Sequence, residues 1–150
     1  MENYRRTAHG IYDRKYHIVW CTKYRYQVKY RYQVMKGKLA ERCRDLIRQI
    51  CAAHETQVIT GSVGSDHVHL LVSVPPHLAV RKLVQYMKGA TSRKLQQEFP
   101  ELGKRYWGQH LWARGFFVVT SGNVTDEVWM EYIRNQREEE KVDDFKIVAS

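Results

Sequence analysis

The chain has 150 residues, of which 43% are hydrophobic, so it can bury roughly two-thirds of its unfolded surface in one domain without a disulfide or metal framework. Its three cysteines, Cys21, Cys43 and Cys51, are odd in number and lack C-x-x-C spacing, which argues against a zinc ribbon and for a reducing compartment. The formal net charge of +9 is uneven: residues 1–50 hold 13 Lys/Arg against 4 Asp/Glu, and residues 101–150 hold 7 against 9.

A basic first third combined with 10 Tyr and 4 Trp suggests contacts to phosphates and stacking on bases. The opening MENYRRTAHGIYDRKY has no apolar centre for a signal peptide, and no apolar run reaches the roughly 18 residues of a membrane helix, so a cytoplasmic protein with no membrane span is expected.

The first element is KYHIVWCTKY at 15–24, where the β-branched and aromatic run HIVW reads as a strand buried on at least one face. KYRYQV at 23–28 then repeats without change at 29–34. If extended, the pair would form a ribbon with tyrosines on one side and Lys23, Arg25, Lys29 and Arg31 on the other; the plainer reading is a solvated loop or hairpin arm. Leu39, Cys43, Leu46, Ile47 and Ile50 fall at helical spacing over 38–53.

Residues 57–63 and 67–74 are β-rich and separated by GSD, which predicts adjacent antiparallel strands stopped by Pro75-Pro76. Leu78, Leu83, Val84, Met87, Thr91 and Leu95 mark a second helix, with Lys88, Arg93 and Lys94 on its exposed side. A loop is expected around 100–109, a strand region in LWARGFFVVT at 111–120, and a last helix from Asn123 to about Glu139, capped by Asn123 with Asp126 and Glu127 in its first turn.

This β-α-β-β-α-β order followed by an extra helix is that of the ferredoxin-like α+β sandwich, the split βαβ layout shared with RNA-recognition modules: an antiparallel sheet with helices on one face. One domain over 1–150 is expected, with a core at about 10–140 and a tail at 141–150. Because such a fold serves many functions, side chains must decide among them.

Two features carry chemistry. In SDHVHLLVSV, His67 and His69 share one face of a strand about 6 to 7 Å apart, while Val68 and Leu70 face the other way. The pair suits a shared metal ion and equally suits two surface imidazoles. In VWMEYIRNQREEE, Val128, Tyr132 and Gln136 lie four apart on one helical stripe. Tyr132 could be simply a core tyrosine with its hydroxyl at the rim.

WCTKYR near residue 20, DHVHLLVSVPP at 66–76 and EYIRNQ at 131–136, in that order, resemble the single-tyrosine TnpA transposases of small bacterial insertion sequences, members of the HUH superfamily of single-strand endonucleases. The similarity runs from about residue 10 to residue 140, and relative to the family the second KYRYQV copy looks inserted. The resemblance implies that His67, His69 and Gln136 bind a divalent metal ion, Mg²⁺ or Mn²⁺, and that Tyr132 on the last helix is the nucleophile. It further implies single-stranded DNA with hairpin ends as substrate, a 5′-phosphotyrosine intermediate, and a homodimer whose subunits share active sites.

Lys23, Arg25, Lys88, Arg93 and Lys94 are the candidates for phosphate contact. A binding-only RNA-recognition-like module would explain charge and fold but not the histidines, Tyr132 and Gln136 together. A metal-dependent nuclease acting through water would make Tyr132 dispensable. A histidine-triad hydrolase fails, because Leu71 stands where its third histidine is needed.

Overall fold

The computed structural model describes residues 4–8, 10–25, 30–31, 34–106, 110–120 and 145–147. A small antiparallel ladder comes first, β1 (Arg5–Arg6) against β2 (Ile11–Tyr12), and its Arg5 guanidinium donates to the Ser73 carbonyl at 2.9 Å. The central elements follow: β3 (Lys15–Cys21), α1 (Gly37–Ala53), β6 (Gln57–Gly64), β7 (His67–Ser73), α2 (Val80–Glu98) and β8 (Phe117–Thr120). They build a sheet in the order β8-β3-β7-β6, antiparallel at each junction. With β3, β6, β7 and β8 taken as strands one to four, this is the four-one-three-two order of the ferredoxin-like sandwich that the sequence predicts.

Alternation along the strands creates two faces. Ile18, Trp20, Val68, Leu70 and Val72 turn to one side and join Cys43, Leu46 and Ile47 of α1 and Leu83, Val84, Met87 and Leu95 of α2 in a single buried core. His17, Val19, Cys21, His67 and His69 turn to the opposite side. Pairing partners across β3 and β7 share a face, so Cys21 opposite His67 and Val19 opposite His69 fix which residues meet there.

Two departures from the sequence expectation have physical causes. Residues 100–106, expected as loop, form α3 (Pro100–Tyr106): Pro100 stands in the first turn, where its missing N–H costs nothing, Glu101 and Lys104/Arg105 match the helix dipole, and Leu102 and Tyr106, four apart, are buried. Within the expected tail, Phe145–Ile147 form β9, parallel to β6 at the sheet edge, with Phe145 buried opposite Gly61. A Cβ at Gly61 would lie 2.9 Å from both Leu70 and Phe145, so glycine makes room for that ring.

Within the KYRYQV repeat, β4 (Tyr24–Arg25) pairs antiparallel with β5 (Tyr30–Arg31), as in the hairpin arm of the plainer reading. No helix among the described residues is long and apolar enough to cross a membrane.

Candidate active site

The two histidines sit at the start of β7, just after the two-residue turn Ser65-Asp66. That turn is tied down from both sides. The Thr22 amide donates to the Asp66 carbonyl at 2.8 Å, the Thr22 hydroxyl donates to the same oxygen at 3.2 Å, and the Met35 amide donates to the Ser65 carbonyl at 2.9 Å. Val68 and Leu70, both fully buried, anchor the alternate positions in the core. The imidazoles of His67 and His69 are thereby held on one face with ring centroids 4.8 Å apart and planes at 89°.

His67 is oriented by its neighbour in sequence. Its Nδ1 lies 2.5 Å from Asp66 Oδ1. With the carboxylate ionised, Nδ1 carries the proton and donates it to Asp66, which leaves the lone pair on Nε2. Nε2 is buried and has no hydrogen-bond partner among the described residues, an arrangement that a metal ion at that atom would satisfy. A carboxylate behind an imidazole is the usual support of a metal-binding histidine, since it fixes the tautomer and raises the basicity of the other nitrogen. Gly64 makes the ring position possible: a Cβ there would lie 2.6 Å from His67 Cε1 and 2.7 Å from Nε2. This glycine is required by close approach.

A third imidazole shares the face. His17, on β3, is fully buried, with its ring 5.7 Å from that of His69 and 6.4 Å edge-on from that of Phe117. Desolvation pushes its pKa down to about 4, so near neutral pH it is an uncharged ring packed beside a candidate ligand. Among the described residues, no group of three His, Cys, Asp or Glu is placed to hold an ion. The described part of the site is thus a pair, His67 and His69, with Asp66, Gly64 and His17 supporting it. Tyr132 and Gln136 lie outside the described residues.

The candidate phosphate contacts divide. Lys23 and Lys88 line the same cavity beside α2. Lys88 also has a structural task, since its Nζ donates to the Ala113 and Gly115 carbonyls, each at 2.8 Å, and desolvation holds its pKa below the ordinary lysine value. Arg93 and Lys94 line a different hollow between α1 and α2, next to the stacked rings of His54 and Tyr86. Arg25 belongs to β4.

Asp66 was visible in the sequence as the residue before the pair, but its support of His67 was not anticipated. His17 and Gly64 reach the site through strand register, and nothing local in the sequence marks them.

An antiparallel ferredoxin-like sheet carrying an oriented His-Val-His pair in a basic chain has the layout of an HUH-type nuclease domain. The chain belongs to the IS200-like transposase family, whose model matches residues 10–136. It is 36% identical over 130 residues to the ISDra2 transposase TnpA of Deinococcus radiodurans, covering 87% of this chain and 89% of that one. It is 32% identical over 135 residues to the transposase for insertion sequence element IS200 of Salmonella typhimurium, covering 90% and 84%.

Among solved structures, a transposase from Deinococcus radiodurans superposes with a TM-score of 0.69 at 30% identity, covering 88% of this chain and 97% of that one. A REP-associated tyrosine transposase bound to a REP hairpin shares the fold with a TM-score of 0.57 at 14% identity, covering 93% and 75%. The chain is a transposase of small insertion sequences, and DNA transposition is its class of activity.

Proposed function

We propose that the protein binds hairpins in single-stranded DNA at the ends of an insertion sequence, then cuts and rejoins strands beside them through Tyr132. The observation that carries this reading is the His67 imidazole, its Nδ1 on Asp66 and its buried Nε2 without a partner among the described residues, beside His69 on one sheet face. Two imidazoles and the amide oxygen of Gln136 would form a neutral donor set that leaves the full charge of a divalent ion for the phosphate. When bound there, Mg²⁺ or Mn²⁺ would polarise a phosphate oxygen and offset charge in the in-line transition state.

Tyr132 Oη loses its proton and attacks phosphorus. The bond from phosphorus to the 3′ oxygen breaks, that oxygen takes up a proton, and the strand on the 5′-phosphate side stays joined to the tyrosine. One phosphodiester replaces another, so a 3′-OH from a second strand can reverse the step without ATP. Hairpin binding is supported by the REP-hairpin complex of the distant relative, and by the basic first third of this chain. In the proposed assembly two copies pair, and the tyrosine helix of one serves the histidines of the other.

The test incubates the protein and Mg²⁺ with single-stranded DNA carrying a candidate end hairpin and looks for a protein–DNA adduct that survives denaturation. The wild type should form it and Tyr132→Phe should not. Clean cutting by the wild type with no adduct would instead mean a nuclease that uses water.

A further inference from the structure

Beside α2 lies a cavity of about 750 Å³, the size range of a small-ligand site, walled by α2 on one side and residues 110–116 on the other. Its walls are built by specific bonds. Trp112, stacked edge-on against Trp20 at 5.9 Å, donates its indole N–H to Thr91 Oγ1 at 2.8 Å, and Lys88 holds the Ala113 and Gly115 carbonyls. Gly115 adopts φ +80°, a conformation that side chains rarely tolerate, and the turn it makes leads into Phe116, which lines the cavity with 40% of its surface exposed.

The charge of the lining is one-sided. Lys23, Arg81, Lys88 and Arg114 contribute cations, and no Asp or Glu is among the described lining residues. Cations next to an exposed aromatic ring are the chemistry of a nucleotide, phosphate against the former and base against the latter. The location fits the same occupant. The Ala113 amide donates to the Cys21 carbonyl and the Lys23 amide to the Leu111 carbonyl, so the cavity lies at the end of β3 where Cys21 pairs with His67. Lys23 is two residues beyond Cys21, about 7 Å along the chain if extended. A strand whose phosphate sits at His67 therefore has the cavity within reach.

We propose that this cavity takes one unpaired nucleotide of the DNA strand, its base against Phe116 and its phosphate at Arg81 and Arg114. The assignment rests on the proposed single-stranded DNA substrate and names a subsite for it apart from the histidine pair. A base in a duplex has both faces stacked and cannot present one to Phe116, so the cavity selects unpaired DNA.

Fluorescence anisotropy with the full chain tests this, using a short fluorescein-labelled oligothymidylate and an abasic oligomer with the same number of phosphates. The wild type should prefer the thymidylate by about tenfold, the scale of one stacked base. Phe116→Ala should abolish that preference while binding the abasic oligomer as before, and Phe116→Tyr should retain it. Arg81→Ala should weaken binding to both and lower the salt slope by about one. Wild type without preference, Phe116→Ala with the preference intact, or Arg81→Ala with unchanged affinity would each overturn the assignment. Adduct formation is scored separately on the wild type, so a failure of the Tyr132 chemistry leaves this result standing, and the reverse.

Discussion

In the proposed site, the position of His67 is set by the residues around it. Asp66 sets its tautomer, Gly64 makes room for its ring, and Thr22 holds the turn that carries both. Gly64→Ala should leave the melting temperature within a few degrees of wild type, because the clashing atoms belong to a movable ring rather than to backbone. Cleavage should nevertheless fall by about a hundredfold, the cost of misplacing a reacting group by roughly 1 Å. A Gly64→Ala protein that cuts at the wild-type rate would show that the His67 ring position is unimportant.

His67→Ala should abolish cutting while hairpin affinity, read by gel shift, stays unchanged; loss of folding instead would assign the residue a structural role. His17 gives a pH prediction. Its pKa is about 4 when folded and near 6.5 when unfolded, so the unfolded chain binds more protons between these values and stability should fall as pH drops from 6.5 to 4. The loss is at most about 3 kcal/mol for this one group. Urea midpoints in EDTA over that range check it: His17→Leu should flatten the curve, and an unchanged curve would contradict the burial account.

The elements differ in how openly the sequence announces them. Helices α1 and α2 and strands β3, β6 and β7 were legible because their periodicity is sustained over many residues, and the short GSD stretch marks the turn before the histidines. Pro100 reads as a breaker, yet at a helix start it is a favoured residue, so α3 was missed. Strand β9 has three residues and depends on a parallel partner more than eighty positions earlier, which no local pattern reveals.

If β9 is part of the domain, Phe145→Ala should destabilise the protein by about 3 kcal/mol, the usual scale for emptying a buried phenylalanine site; a change below about 0.5 kcal/mol in urea melts would return 145–147 to a tail. In α2, Gly89 is exposed and an added Cβ would meet nothing within 4 Å. Gly89→Ala should therefore stabilise the fold by about 0.5 to 1 kcal/mol through lost backbone entropy in the unfolded chain.

For the molecule as a whole, the ferredoxin-like sheet divides labour between its faces. One packs on two helices and supplies the core, and the other presents three imidazoles from two neighbouring strands. The fold and the pair His67 and His69 could be read from sequence, whereas the support from Gly64 and His17 required the register of β3, β6 and β7. In the proposed reaction Tyr132 becomes covalently joined to DNA.

The most direct measurement is mass spectrometry of the adduct formed with a hairpin-bearing single strand, after nuclease trimming and proteolysis. The expected result is one peptide carrying a 5′-linked nucleotide on Tyr132. A nucleotide on another residue, or cut DNA with every peptide unmodified, would contradict the account.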